Sequence, residues 1–221
     1  AHLSKAESWM VTAHVEKSGE LRGVGCSAVA EGDVMAVGAK QGDILVRGIA
    51  LGGEVRVIAA ITSTVAEKLR TVHDAGPLAA VACSRTVTAA LLLSATIKGR
   101  HQVGIQINGD GPIGEVYAIA GSDAKVRATL SNPQASEPAN REARSPLAAA
   151  LGSGRFTVIR SLADKPAHRG IVELVSGEVG EDLAHYLTHS EQVPSAVLLG
   201  ERLDKNGIQV AAGLLIQALP G

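Results

Sequence analysis

Apolar and polar residues alternate most clearly in the middle of the chain. Between Gln102 and Asn108 every second residue is apolar, which is the period-2 pattern of a half-buried strand. A second apolar run from Ile113 to Ala120 follows the turn Gly109-Asp110-Gly111-Pro112, whose glycines permit positive φ and whose proline stops a helix. The pattern predicts a β-hairpin around which the rest of the fold is organised.

The same stretch matches the dinucleotide fingerprint, since Gly109-x-Gly111-x-x-Gly114 follows a strand. The fingerprint binds pyrophosphate only when a helix begins after it, because the helix N-terminus supplies the amides and the dipole. Here Pro112 lies inside the motif and β-branched residues follow, so we interpret it as a structural turn. A similar motif, Gly23-x-Gly25-x-x-Ala28, follows no convincing strand and is interpreted in the same way.

Two helices are predicted after a first hairpin. Leu45 to Ala60 is typical of two strands joined at Gly52-Gly53. Thr64 and Glu67 have the spacing of a capping box, which predicts a helix that ends at Gly76. Pro77 then begins a helix from Leu78 to Lys98 that is apolar on nearly every side, as in a core or a subunit interface. Arg85 is its one charge before Lys98 and is interpreted as a buried ion-pair partner or a carbonyl cap.

The second half of the chain alternates further strands with short helices. We predict strands at Lys125–Leu130, Phe156–Ile159 and Gly170–Val175, helices at Ser145–Gly152 and Glu178–Ser190, an exposed loop at Asn132–Arg144, and a last hairpin from Ala196 to Leu219 around Asp204-Lys205-Asn206-Gly207. These elements together predict an α+β fold with hairpins and a buried apolar helix.

Residues 1–43 differ in pattern from the rest and are predicted to be an N-terminal extension to a core domain at 44–221. Trp9, Val11, Ala13 and Val15 alternate with other residues, and short apolar pieces follow at Leu21–Val29 and Val34–Val37. The extension is expected to be either a loose arm or a set of strands added at a sheet edge.

Composition narrows the function classes. Apolar residues make up 46% of the 221 residues but aromatic residues only 2%, so base stacking has few platforms. The 21 basic and 22 acidic residues are scattered, so there is no basic stripe to bind a nucleic-acid backbone.

No apolar run in the sequence suggests a membrane span, and the N-terminus lacks the layout of a secretion signal. We expect a protein of the cytoplasm, with a mitochondrion or plastid as the alternative in a eukaryote, and neither nucleic acid nor membrane as a partner.

Candidate chemistry is sparse, and we expect no catalytic residue and no enzymatic activity. The sequence has neither a Gly-x-Ser-x-Gly elbow nor a Walker motif. Glu181, His185 and His189 are spaced four apart on a predicted helix and form a weak candidate metal site. The alternative function is therefore a small-molecule-binding or enzymatic α+β domain that uses the Gly109–Gly114 hairpin or the His185/His189 face. Cys26 and Cys83 are the only thiols. Cys83 is expected to be an inert core thiol, and a structural disulfide is the alternative.

Several segments resemble the redox-regulated 33-kDa heat-shock chaperones, a family of ATP-independent holdases. The resemblance runs in order from Ile44 to Gly221. It rests on Leu45-Val46-Arg47-Gly48-Ile49-Ala50, Ser84-Arg85-Thr86-Val87-Thr88-Ala89-Ala90-Leu91-Leu92-Leu93, Gln106-Ile107-Asn108-Gly109-Asp110-Gly111-Pro112, Leu174-Val175-Ser176-Gly177-Glu178-Val179-Gly180-Glu181-Asp182-Leu183, Ser190-Glu191-Gln192-Val193-Pro194-Ser195-Ala196 and Ala211-Ala212-Gly213-Leu214-Leu215-Ile216-Gln217.

This resemblance implies a core of stacked β, β and α layers that often dimerises, in some members by exchanging segments, and that binds unfolding client proteins under oxidative stress. The family's redox switch is a C-terminal zinc module with Cys-x-Cys and Cys-x-x-Cys, and zinc is expected there. No residue of this chain corresponds to that switch, since the sequence ends at Leu219-Pro220-Gly221, where the family's linker begins. The client-binding residues are not identified by the resemblance. If the linker normally covers the helix Leu78–Lys98, part of that helix is expected to be exposed here.

Overall fold

A computed structural model describes residues 35–38, 42–97, 99, 101–138, 143–161 and 167–220. Over these residues the strands are β1 (Met35–Gly38), β2 (Ile44–Ala50), β3 (Val55–Ile61), β4 (Gln102–Gly109), β5 (Glu115–Gly121), β6 (Val126–Leu130), β7 (Gly154–Ser161), β8 (His168–Glu173), β9 (Ser195–Asp204) and β10 (Gly207–Ala218). The helices are α1 (Ser63–Val72), α2 (Pro77–Ser94), α3 (Pro146–Leu151) and α4 (Val179–His189).

The strands form two five-stranded antiparallel sheets. The first sheet has the order β1-β2-β3-β10-β9, and the second has the order β6-β5-β4-β7-β8. The predicted central hairpin is the β4–β5 pair, in which Gln102 lies opposite Gly121 and Asn108 opposite Glu115. The other two predicted hairpins are β2–β3 and β9–β10. The α+β class predicted from the sequence is confirmed.

The part of residues 1–43 that the structure describes begins with an edge strand. β1 overlaps the apolar piece predicted at Val34–Val37 and pairs with β2, with Met35 opposite Arg47 and Gly38 opposite Ile44. The predictions for Trp9–Val15, Leu21–Val29 and Cys26 concern residues outside the described ranges.

Helix α2 is the core of the molecule. Fourteen of its 18 residues are buried, and it contacts β3, β9 and β10 of the first sheet and β4, β5 and β6 of the second. Contrary to the expectation from the sequence, α2 is long and apolar enough to cross a membrane, but 78% of it is buried inside the fold, as in the core helix of a folded domain. The hydroxyls of Thr86 and Thr88 donate to the carbonyls of Ala82 and Ser84, which satisfies these polar groups within the helix.

Arg85 is the one charged residue of α2, and it joins this helix to β9 of the first sheet and to the N-terminus of α4. Its Nε and Nη2 donate to the two oxygens of Glu201 in β9 at 2.9 and 3.0 Å, and its Nη1 donates to Glu178, the N-cap of α4. Ser145, the N-cap of α3, donates to the other oxygen of Glu178. Burial lowers the Arg85 pKa, but the bonds and charges of Glu201 and Glu178 outweigh burial and raise it. The predicted ion-pair role of Arg85 is therefore confirmed.

The capping box predicted at Thr64 and Glu67 is wrong. Helix α1 begins at Ser63, and the backbone N–H groups of Thr64 and Val65 in its first turn donate to the Asp43 carboxylate at 2.8 and 2.9 Å. Glu67 instead accepts from Arg70 and from the backbone N–H of Ile208 in β10. The N–H groups at the start of α1 are thus satisfied by a carboxylate distant in sequence, and not by the Thr64 side chain that the local pattern predicts as the cap.

The boundary between α1 and α2 also differs from the prediction. Helix α1 ends at Val72 rather than at Gly76, and Gly76 is the N-cap of α2. Helix α2 ends at Ser94 rather than at Lys98, which lies outside the described residues.

The glycine-rich turn between β4 and β5 packs against the C-terminal end of α3. The N–H groups of Asp110, Gly111 and Ile113 donate to the carbonyls of Ser153, Leu151 and Ala150 at 2.8, 2.9 and 3.1 Å. A Cβ atom on Gly111 would clash with the Ala150 carbonyl oxygen, so only glycine allows this approach.

We predict that Gly111→Ala lowers the free energy of unfolding by about 3 kcal/mol, because the methyl group displaces the turn from the α3 carbonyls. Urea denaturation measures the change. Gly48→Ala is the matched control, since no atom lies within 4 Å of its added methyl, and we expect it to be neutral or to stabilise by up to about 1 kcal/mol. Equal losses for the two variants would contradict the packing argument.

We also predict that Arg85→Ala costs about 3 kcal/mol of stability, since it leaves the Glu201 carboxylate, whose side chain is 7% exposed, without its cation. The triple change Arg85→Met, Glu178→Gln and Glu201→Gln should cost less than Arg85→Ala. Arg155→Ala breaks an exposed pair with Glu173 and should cost under about 0.5 kcal/mol. If the triple variant were less stable than Arg85→Ala, the loss of stability in Arg85→Ala would come from lost packing and not from unpaired charge.

Candidate functional site

One face of the first sheet is almost entirely apolar and has no other element of the described chain packed over its centre. Strand register places the residues concerned on the side away from α2, because residues opposite one another in a sheet share a face. We call this set the apolar face: Ile44, Val46, Val57, Ala59, Ile61, Ala196, Leu198, Val210, Ala212, Leu214 and Ile216.

The apolar face exposes large side chains to solvent. Leu198 is 65% exposed, Val210 45%, Ile61 44%, Ile44 41% and Ile216 36%. These are five of the eight large hydrophobic residues that are exposed in the described chain. Single exposed hydrophobic residues are ordinary, but a contiguous group in one sheet marks an interaction surface.

The apolar face also lacks charge over most of its area. In β9 the side chains on this side are Ala196, Leu198 and the charged residues Arg202 and Asp204, which lie at the hairpin end. The charged residues Arg47 and Arg56 of β2 and β3 belong to the opposite side of the sheet by alternation. Contacts with this surface are therefore governed by apolar area rather than by ion pairs.

The outward side of the second sheet has a different character. It carries Gln106, Arg127, Arg155 and Glu173, with the Gln106 amide donating to Glu115 at 2.7 Å. Ile171 is exposed there, but it is surrounded by polar positions rather than by other exposed aliphatic residues. The two sheets thus bury one side each against α2 and present opposite chemistry to solvent.

The Gly109–Gly114 turn is not arranged to hold a phosphate. The amides that a pyrophosphate would need are bonded to protein carbonyls, including Gly109 N–H to Gly114 and Gly114 N–H to Gly111. The strand β5 follows the turn in place of a helix, so no helix dipole points at it. The geometry supports the structural interpretation of this motif.

The second candidate site, Glu181, His185 and His189, does not converge on a common point. Glu181 pairs with Arg144 at 2.5 Å, and the rings of His185 and His189 stack with centroids 4.0 Å apart. Nδ1 of His189 lies 2.9 Å from the His185 carbonyl oxygen. Within the described part of the chain, no group of three or more His, Cys, Asp or Glu side chains is placed to hold a metal ion.

The thiol of Cys83 is buried in α2, where it is free of any disulfide. Burial raises the pKa of this thiol to about 12, which leaves almost no thiolate at neutral pH. Cys83 therefore has the environment of an inert core thiol.

The expectation that part of the apolar helix is exposed is wrong. α2 is covered by both sheets of this chain, and 14 of its 18 residues are buried. The exposed apolar surface instead lies on the first sheet, which sequence reasoning did not identify as a site. The signal in the sequence was weak, since apolar residues predominate at both alternating sets of positions in β3 and β10, and the pattern alone does not show which side is covered.

Comparison with known proteins places the chain in a family. The model of the family described as Hsp33 protein matches residues 43–221. The 33 kDa chaperonin of Desulforamulus reducens is 43% identical over 180 residues, which are 81% of this chain and 61% of that protein. The 33 kDa chaperonin of Thermus thermophilus is 39% identical over 180 residues, 80% of this chain and 53% of that protein. The chain thus spans between about half and about three fifths of the length of these relatives.

A solved structure agrees with the sequence comparisons. The crystal structure of the 33 kDa chaperonin (heat shock protein 33 homolog) from Thermotoga maritima superposes with a TM-score of 0.73 at 34% identity, over 78% of this chain and 59% of that chain. Three findings agree on the family. The fold has two antiparallel sheets around a buried helix, the family model matches residues 43–221, and several relatives are about 40% identical. This chain belongs to the Hsp33 family of chaperones.

Proposed function

We propose that this chain is the core of an ATP-independent holdase that binds unfolding client proteins on the apolar face of its first sheet. The observation that carries the proposal is the group of exposed aliphatic side chains on that face, from Ile44 in β2 to Leu198 in β9. Unfolded chains expose apolar segments that native proteins bury, and association with a preformed apolar surface removes both surfaces from water.

The size of the effect is appropriate for reversible holding. If a client segment removed about 400 Å² of apolar surface from water, the gain would be about 10 kcal/mol. Association itself costs about 4 to 15 kcal/mol, which offsets most of that gain. The result is weak binding that releases the client without a chemical energy source, in keeping with a sequence that has no Walker motif.

Low charge on the apolar face supports broad client choice. An interface of aliphatic side chains has no fixed hydrogen-bond pattern to match, so affinity follows apolar area rather than a client sequence. Because few ion pairs contribute, we expect client holding to change little with salt concentration.

Redox control belongs to the proposal for the longer family members. The relatives extend well beyond the length of this chain, and we propose that the zinc-bound cysteines that sense oxidation lie in that additional length. Cys83, with a pKa of about 12, is unsuited to sensing. We further propose a cytoplasmic homodimer, whose subunits can exchange segments.

We predict that Leu198→Glu and Ile216→Glu each weaken client holding several-fold, because a charge on the apolar face must be desolvated when a client binds. A chemically unfolded client is diluted into buffer with and without the protein, and light scattering follows its aggregation. Ile171→Glu, at a 51% exposed position of the second sheet, is the matched control and should leave holding unchanged.

Two controls accompany that assay. Adding ATP should have no effect on aggregation. Urea denaturation should show that the free energy of unfolding of each of the three variants differs from that of the parent by less than about 1 kcal/mol. Full suppression of aggregation by both apolar-face variants would exclude this face as the client site.

We predict that Cys83 reacts only very slowly with a thiol reagent in the native protein. In a Cys26→Ser background, labelling at pH 8 should be at least about a thousand-fold slower than in guanidinium, where the thiol pKa returns to about 8.5. Mass spectrometry measures the labelling. Rapid labelling of the folded protein would show that α2 opens and that Cys83 is available for oxidation.

A further inference from the structure

We propose that the stretch Trp9–Val15 of this chain binds the apolar face and competes there with clients. The competition rests on the proposed function, whereas the binding of Trp9–Val15 to the face does not. The occupant is thus a segment of the same chain, and its role is to regulate access to the site. Three observations support the binding of Trp9–Val15 to the apolar face. They are the sheet at which the preceding chain joins the core, the length of that chain and the pattern of residues in the stretch.

The preceding chain joins the core at the sheet that carries the apolar face. β1 is the edge strand of the first sheet, and its first residue, Met35, lies opposite Arg47 of β2. Residues 1–34 therefore connect directly to this sheet rather than to the second one. Their point of attachment is one strand away from Ile44 and Val46 of the apolar face.

The length of this chain is sufficient to cross the face. Five strands spaced at about 4.8 Å span about 19 Å from β1 to β9. The 26 residue-to-residue steps from Trp9 to Met35 can extend to about 86 Å, and a flexible chain of that length has a root-mean-square end-to-end distance of about 28 Å. Because that distance is close to the width of the sheet, the effective concentration of Trp9–Val15 at the face is of the order of 1 mM.

The residue pattern of the stretch suits the face. Trp9, Val11, Ala13 and Val15 occupy alternate positions, so an extended conformation would bring all four to one side. Trp9 is the only tryptophan of the chain and lies outside the family match at residues 43–221. A tryptophan side chain buries about 200 Å² on contact with an apolar surface.

A weak contact is enough for regulation, because the segment is tethered. With an effective concentration of about 1 mM, a site affinity of about 0.1 mM keeps the face about 90% covered and weakens client affinity about tenfold. A client that exposes a large apolar segment then displaces the tethered stretch, whereas a folded protein does not.

Fluorescence of Trp9 tests the binding without any client. In the full chain we expect its emission at shorter wavelength than in a peptide of residues 1–20, and Leu198→Glu should shift it toward the peptide value. Ile171→Glu should leave it unchanged. Emission equal to that of the peptide, or indifferent to Leu198→Glu, would overturn the proposal. A shift that depends on protein concentration would also overturn it, because the occupant would then belong to a second copy.

Charge placed on the stretch itself tests the competition. Val11→Asp with Val15→Asp should raise hydrophobic-dye binding and client holding several-fold, while Thr12→Asp with His14→Asp adds the same charge at the other alternate positions and should change neither. Equal effects of the two pairs would overturn the proposal. If the first pair raised dye binding but no variant held clients, binding of the stretch would stand and the holdase function would fail.

Discussion

The packing of two sheets against α2 is the constraint on which the rest of the structure depends. An 18-residue helix that is apolar on nearly every side must be covered all round, and one sheet covers only one side of it. Both sheets therefore turn their inner sides to the helix, and helices α1, α3 and α4 supply its remaining contacts. Since α2 occupies the inner sides, only the outer sides of the two sheets face solvent.

The outer sides of the two sheets differ in the residues that they present to solvent. The second sheet presents Gln106, Arg127 and Arg155 to solvent, which is the usual arrangement for a sheet with one wet side. The first sheet presents Ile44, Leu198 and other aliphatic residues instead. Exposed apolar area of this kind promotes aggregation, and the client binding proposed above would give it a use. A tethered stretch that covers the face would limit that hazard while leaving the surface available.

Local patterns predicted much of the fold. Alternation in β4, the turn at Gly109–Pro112 and Asn206-Gly207 in the last hairpin each depend on neighbouring residues, and each was found as predicted. The position of Pro77 at the start of α2 was likewise found as predicted. The α1 cap was mispredicted because Asp43 reaches it from 21 residues away, and no local spacing reveals such a contact.

The site was harder to predict than the fold for a related reason. Val57 and Ile58 are both apolar, yet Ile58 is buried against the core and Val57 lies on the outer side. Which of them is covered depends on where α2 and the second sheet pack, and that is a tertiary property. The ion-pair role of Arg85 was predictable because an isolated charge in an apolar helix requires a partner, although its partners Glu178 and Glu201 were not.

The most direct test of client binding on the apolar face is site-specific photo-crosslinking to an unfolding client. A photoreactive side chain is placed at Leu198 or Ile61 on the apolar face, and at Ile171 on the second sheet as the comparison. We expect strong client crosslinks from the first two positions, little from Ile171, and loss of the crosslinks when the client is allowed to refold. Equal crosslinking from all three positions, or crosslinks from Ile171 alone, would contradict a client site on the apolar face.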